Sequence, residues 1–169
     1  MAEELTATEL AERVATLRKL RSLLEAQRNK FREYLVVLEK QQIKIEADDG
    51  EALRAHAELG TQIVESIASL QKAIMPMRAL YESAAASDTA RASADIAAEC
   101  GNVAQLQTEL AGLRERVLQR NEHNRALLKV HMNRLREQLA DFGLHNPYRG
   151  RRSVYADKEY VGSRIAMEV

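Results

Sequence analysis

Residues 121–142 read NEHNRALLKVHMNRLREQLADF, a strongly helical amphipathic segment. Its apolar residues recur at steps of four and three and therefore share one helix face: Leu128, Met132, Leu135, Leu139 and Phe142. The same kind of stripe lies upstream, in Val103, Leu106, Leu110, Leu113 and Val117. The spacing predicts one long helix that carries both stripes.

Two amides interrupt the join between the stripes. Counting on from Val117 by four and then three residues reaches Asn121 and Asn124 before Leu128. A polar residue in such a position costs stability and tends to fix register or mark a boundary. We interpret the pair as separating a structural half of the helix from a half kept for a partner. The alternative is that residues 128–142 complete the internal core, and the sequence leaves both interpretations open.

The composition favours long helices in one domain. The chain has 169 residues, 25 Lys and Arg against 25 Asp and Glu, two prolines and no tryptophan. The balanced charge provides no general attraction to nucleic acid or to a membrane surface. Cys100 is the single cysteine, which excludes a disulfide within one chain. A buried thiol is favoured over a reactive one.

Neither targeting nor membrane insertion is expected from the sequence. The first ten residues are acidic and contain no apolar run, unlike a signal peptide. No apolar stretch approaches the ~20 residues of a membrane-spanning helix. We therefore expect a cytoplasmic protein.

The fold expected is all-α: an elongated antiparallel three-helix bundle or coiled-coil hairpin with a flexible C-terminal tail. Helices are predicted at about 8–47, 51–82 and 92–142, within a domain of residues 1–145 and before a tail of 146–169. Thr6 or Thr8 can cap the first helix, and Gly50 can take the left-handed conformation that ends it. Pro76 predicts a kink or an early end of the second helix. The first helix repeats apolar residues every seven positions: Leu10, Leu17, Leu24, Phe31, Leu38 and Ile45.

Motifs for catalysis or cofactor binding are missing from the sequence. No histidine follows a glutamate by three or four residues, and His123 and His131 do not converge on one helix face. There is no glycine-rich phosphate loop. We therefore expect no enzyme activity, no metal and no cofactor. The basic cluster at 149–152 is better explained as a solvated tail, or one that docks on an acidic protein, than as a nucleic-acid contact.

Two motifs resemble those of the FlgN-type flagellar export chaperones. One is Asn121-x-x-Asn124-Arg125-x-Leu127-Leu128, followed by the apolar stripe and a tyrosine-bearing tail. The other lies in the second helix and reads His56-x-x-Leu59-x-x-Gln62-Ile63-Val64-x-x-Ile67-x-x-Leu70-Gln71-Lys72-x-Ile74-x-Pro76, ending at Tyr81. The similarity touches most of the chain from Leu10 to Tyr155.

This resemblance implies a cytoplasmic helical chaperone, monomeric or weakly dimeric. Members of that family hold the hook-associated proteins of the hook–filament junction, bind their C-terminal helical segment and escort them to the export gate and its ATPase complex. Carried over by position, it implies contact of the export gate with Tyr155, or with Tyr148 in its place. It implies binding of the substrate protein by Asn121, Asn124, Leu127, Leu128, Met132, Leu135, Leu139 and Phe142. The alternative is a structural coiled-coil protein that homo-oligomerises through the same apolar face.

Overall fold

Three helices make up the part of the chain that the structure, a computed structural model, describes. These residues are 6–86 and 93–145, and they form α1 (Ala7–Glu46), α2 (Gly50–Ala86) and α3 (Ala94–Leu144). Within those ranges there is no strand. The all-α prediction is confirmed. The predicted tail of 146–169 lies outside the described residues.

Two compact units divide the chain, Met1–His131 and Met132–Val169. The first unit contains α1, α2 and the residues of α3 up to His131. The described part of the second unit consists of residues 132–144 of α3 and His145.

Helix α1 begins with a capping box, one of the two starts that the sequence offers. The Glu9 amide donates to the Thr6 hydroxyl oxygen at 3.3 Å, and the Thr6 amide donates to Glu9 Oε2 at 2.8 Å. These bonds satisfy amide groups that the first turn of a helix leaves without partners. They also lower the pKa of the Glu9 carboxyl, chiefly through the Thr6 backbone bond.

The turn between α1 and α2 depends on Asp48 rather than Gly50, which corrects the prediction. Asp48 has φ 53, in the left-handed region, whereas no glycine among the described residues has a positive φ. Gly50 instead begins α2. Aspartate tolerates the left-handed conformation better than most residues. Asp49 then caps α2, because its Oδ1 accepts from the Ala52 amide at 3.1 Å and its Oδ2 lies 3.0 Å from Lys44 Nζ.

Helix α2 continues through Pro76 and ends at Ala86 rather than at about residue 82, so of the two outcomes expected at Pro76, a kink or an early end, the early end is wrong. Ile74 and Ala84 are buried on either side of the proline. Met77 and Tyr81 pack against the core between them. Tertiary packing of this face therefore stabilises the helix beyond a residue that interrupts its backbone hydrogen bonds.

The first unit is a three-helix bundle with a leucine-rich core. Contacts of Arg18 with Glu99 and of Arg28 with Glu109 follow the same direction in both helices, so α1 and α3 run parallel. Helix α2 is antiparallel to α1. The main cluster of buried residues draws on all three helices: Leu20, Leu24, Phe31, Leu35, Leu38, Ile74, Val103, Leu106, Leu110, Leu113 and Val117.

Candidate partner-binding surface

Burial along α3 changes at Asn124. The five apolar residues of its upstream stripe, from Val103 to Val117, are all buried in the first unit. After Asn124 no described residue of α3 is buried, and only Leu127 and His131 are half-buried. The change falls where the two amides interrupt the apolar pattern.

Asn124 lies inside the first unit. Its side chain is 5% exposed, and its Nδ2 donates a 2.8 Å hydrogen bond to the backbone oxygen of Leu38. Its Oδ1 is buried with no hydrogen-bond partner among the described residues. This position suits a residue that fixes how α3 sits against α1. It leaves no free side-chain face for a partner, so we omit Asn124 from the candidate surface.

The other predicted residues in the first unit are only partly accessible. Asn121 and Leu127 are half-buried, and Leu128 is 41% exposed. Their role in binding a substrate protein stays a prediction. These three residues do not by themselves form an exposed face that a partner helix could cover.

The second unit carries four exposed apolar residues on one helix face. Met132, Leu135, Leu139 and Phe142 are spaced by three, four and three residues. Their exposed fractions are 45%, 49%, 72% and 81%. We call these four residues the C-terminal stripe. Large apolar side chains in a continuous exposed row are typical of surfaces that bind protein partners.

The charged residues of this segment are distributed unevenly around the stripe. Taking Met132 and Leu139 as heptad a positions, and Leu135 and Phe142 as d, places Arg136 at e and Gln138 at g. Glu137 and Asp141 fall two residues from Leu139 on either side, at the f and c positions, which point away from an a/d face. Within residues 132–145, no acidic residue therefore occupies an e or g position beside the stripe.

A polar contact lies close to the end of the first unit. His131 Nδ1 is 2.8 Å from Asp48 Oδ1, which joins α3 to the turn between α1 and α2. His123 is exposed and does not take part. Over residues 6–86 and 93–145, no group of three or more His, Cys, Asp or Glu side chains is placed to hold a metal ion.

Cys100 lies half-buried in the second turn of α3. It packs with Leu17, Ile96 and Tyr81 in a small second cluster. Burial, and secondly the charge of Glu99, raise the pKa of the Cys100 thiol. A raised pKa keeps the thiol protonated near neutral pH, which makes it a poor nucleophile.

Two buried polar groups were missed by the sequence analysis. Gln27 is fully buried and donates to Gln71 Oε1 at 2.9 Å. Glu99 is also buried, with Arg21 Nη1 at 3.0 Å from its Oε2. The spacing held a signal for Glu99, because it lies three residues after Ile96 and four before Val103 on the same helix face.

Tyr148 and Tyr155, predicted to contact the export gate, lie outside the described residues. Among the helices that the structure describes, none combines the length and apolar character needed to cross a membrane.

The chain is similar in sequence to a protein of another organism. A protein of Treponema pallidum (strain Nichols), described as "Uncharacterized protein", is 40% identical over 134 residues, which cover 79% of this chain and 79% of that protein. No family model matches the chain. No solved structure matches it either.

Proposed function

We propose that this chain, which belongs to one family with the Treponema pallidum protein, is a cytoplasmic chaperone of flagellar type III export. It binds the C-terminal helical segment of hook-associated proteins, those of the hook–filament junction. It then delivers them to the export gate and its ATPase complex. It acts by binding alone, without a cofactor or chemistry of its own.

The exposed C-terminal stripe is the observation that carries this proposal. Its apolar residues recur with the spacing by which a helix takes a partner helix. Leu139 and Phe142 are more than two-thirds exposed, at 72% and 81%. A partner helix laid on this face would bury side chains that are in water in the free protein, which favours association.

The composition of the core of the first unit also supports the proposal. Met132, Leu135, Leu139 and Phe142 are not among the residues of its main cluster. Exposed apolar residues that the fold does not need are expected where they serve a partner.

The resemblance of the second and third helices to FlgN-type chaperones gives the partner its identity. The motif in α3 leads directly into the C-terminal stripe. In that family the partner is the C-terminal helical segment of a hook-associated protein. An exposed apolar helix face suits such a ligand.

Co-purification tests the proposal. The full chain is expressed with tagged C-terminal segments of hook-associated proteins, as wild type, as Leu135→Asp and as Leu118→Asp. Leu135 is 49% exposed in the stripe, and Leu118 is 58% exposed in the first unit, which makes it a matched control. We expect a complex with the wild type and with Leu118→Asp, and its loss with Leu135→Asp. Circular dichroism should show the same helical signal in all three.

A structural coiled-coil protein is the second candidate, because the a/d spacing of the stripe also suits a second copy of the chain. In that case the wild type forms a stable oligomer in sedimentation experiments, Leu135→Asp breaks it, and no junction-protein segment co-purifies. Loss of the helical signal in Leu135→Asp would contradict both functions by assigning the residue to the core.

A further inference from the structure

We propose that the partner helix of the C-terminal stripe carries acidic residues along the edges of its own apolar face. This inference rests on the proposed function, since it concerns the partner of the same stripe. It is carried by the charges that flank the stripe in the second unit.

Charges at heptad positions e and g determine which helices pair, since they face the e and g positions of the partner helix. Between residues 132 and 145 these positions hold Arg136, Gln138, Gly143 and His145. The one permanent charge among them is therefore positive. No ion pair joins Arg136 to another residue within the described ranges, so its guanidinium is available to a partner.

The acidic residues of the same segment lie elsewhere. Glu137 and Asp141 occupy the f and c positions, and both are exposed to water. An acidic partner helix seated on the stripe would thus meet Arg136 without facing Glu137. Complementary charge at the rim of an interface contributes mainly to the choice of partner.

A second copy of the chain is a poorer occupant by the same argument. In antiparallel pairing, e positions face each other, which brings Arg136 towards its own equivalent. In parallel pairing, g faces e, which sets Gln138 against Gly143 and gains no opposite charges. Neither arrangement places a carboxylate of residues 132–145 opposite Arg136. A partner with acidic flanks supplies one in both.

Two synthetic helical peptides test this inference with the full chain. Both have leucine at every a and d position, and they differ only in carrying glutamate or lysine at e and g. Affinities are measured by fluorescence anisotropy at 50 mM and 500 mM salt. The variants are Arg136→Glu and its matched control Arg134→Glu, which makes the same charge change at position c.

We expect the wild type to bind the glutamate peptide about fivefold more tightly than the lysine peptide at low salt. Arg136→Glu should abolish or reverse that preference, and Arg134→Glu should keep it. At 500 mM salt the preference should shrink, because the Debye length falls to about 4 Å.

Other results would overturn the inference in distinguishable ways. Equal binding of both peptides, lost in Leu139→Asp, would leave the stripe as a helix-binding surface without charge selection, and the proposed function would stand. Binding of neither peptide would remove both proposals. A stable dimer of the chain that Leu139→Asp dissociates would make a second copy the occupant.

Discussion

The side-chain amide of Asn124 donates a 2.8 Å hydrogen bond to the backbone oxygen of Leu38, across α3 and α1. Asn124 is the last buried residue in the described part of α3. The hydrogen bond between the parallel helices α1 and α3 thus lies at the end of the buried part of α3. A misaligned α3 would leave the amide buried without this acceptor, at a cost of about 1–3 kcal/mol.

Two replacements of Asn124 distinguish the contribution of its hydrogen bond to stability from that of its side-chain volume. Asn124→Ala should lower the free energy of unfolding by about 1–3 kcal/mol, because it removes the bond and leaves a space. Asn124→Leu should stay close to the wild type, since it fills the site and removes the buried Oδ1. Urea denaturation measures both. The exposed Asn133→Ala is the control, expected within about 0.5 kcal/mol of the wild type; an equal loss in both Asn124 variants would contradict this account.

Two glycines in helices should respond to substitution in opposite directions. A Cβ at Gly60 would lie 3.3 Å from Tyr34 Cε2, whereas nothing lies within 4 Å of one at Gly112. Gly60→Leu should therefore destabilise the bundle by roughly 1–3 kcal/mol through overpacking. Gly112→Ala should stabilise it by about 0.5–1 kcal/mol, because alanine restricts the unfolded chain and favours the helix. Thermal and urea unfolding decide the signs, and a stabilised Gly60→Leu would show that α1 and α2 can move apart at no cost.

The Cys100 thiol should react slowly in the folded protein. Burial and the charge of Glu99 raise its pKa, so the reactive thiolate is scarcer than in the unfolded chain at any pH near neutral. We expect the rate of modification by iodoacetamide at pH 7.5 to rise severalfold on adding urea. In the folded protein the rate should keep increasing with pH beyond the point at which the unfolded chain levels off. A native rate equal to the unfolded one would argue against burial of this thiol.

Asp49 should make the stability of the bundle depend on acid pH. The Ala52 amide, and secondly Lys44, hold the pKa of its carboxyl below the ordinary 3.8. A lowered folded pKa gives stabilisation that is complete above the unfolded value and is lost as the pH falls through the folded one. Asp49→Asn keeps a cap for Ala52 but cannot titrate.

The melting temperature from pH 6 to pH 2 checks this expectation. The advantage of the wild type over Asp49→Asn should be constant at the upper end and decline below pH 3.8. Lys44→Gln should show a weaker decline than the wild type, since the contribution of Lys44 to the lowered pKa is removed. Parallel curves for the wild type and Asp49→Asn throughout would refute the role of the Asp49 charge.

The fold was accessible from the sequence wherever spacing alone decides burial. The seven-residue spacing of apolar residues in α1 predicted that Leu17, Leu24, Phe31 and Leu38 are buried, because only one face of a helix can pack against its neighbours. Pro76 was predicted to kink or to end the second helix, and the helix continues through it to Ala86. The low helix propensity of proline was overridden there by the packing of Ile74 and Ala84, and the strength of that packing cannot be judged from the sequence.

The candidate surface was predictable in part. The spacing placed Met132, Leu135, Leu139 and Phe142 on one face, but it could not distinguish a face in the core from one in water. Asn124 illustrates the reverse difficulty. An amide in an apolar stripe is read equally well as a partner contact or as an internal hydrogen bond, and the acceptor, Leu38, lies 86 residues away.

The hydrogen bonds between α1 and α3 join residues 78 to 86 positions apart, whereas Gln27 and Gln71 of the α1–α2 pair are 44 apart. Bringing together residues so distant in the chain costs more conformational entropy, so we expect the α1–α3 contacts to form after those of α1 with α2. During synthesis, α1 leaves the ribosome long before Val103 and Leu106 exist. Leu20, Leu24 and Leu38 therefore lack their α3 partners until Val103 and Leu106 have been synthesised, and a chain interrupted before residue 103 would be prone to aggregate.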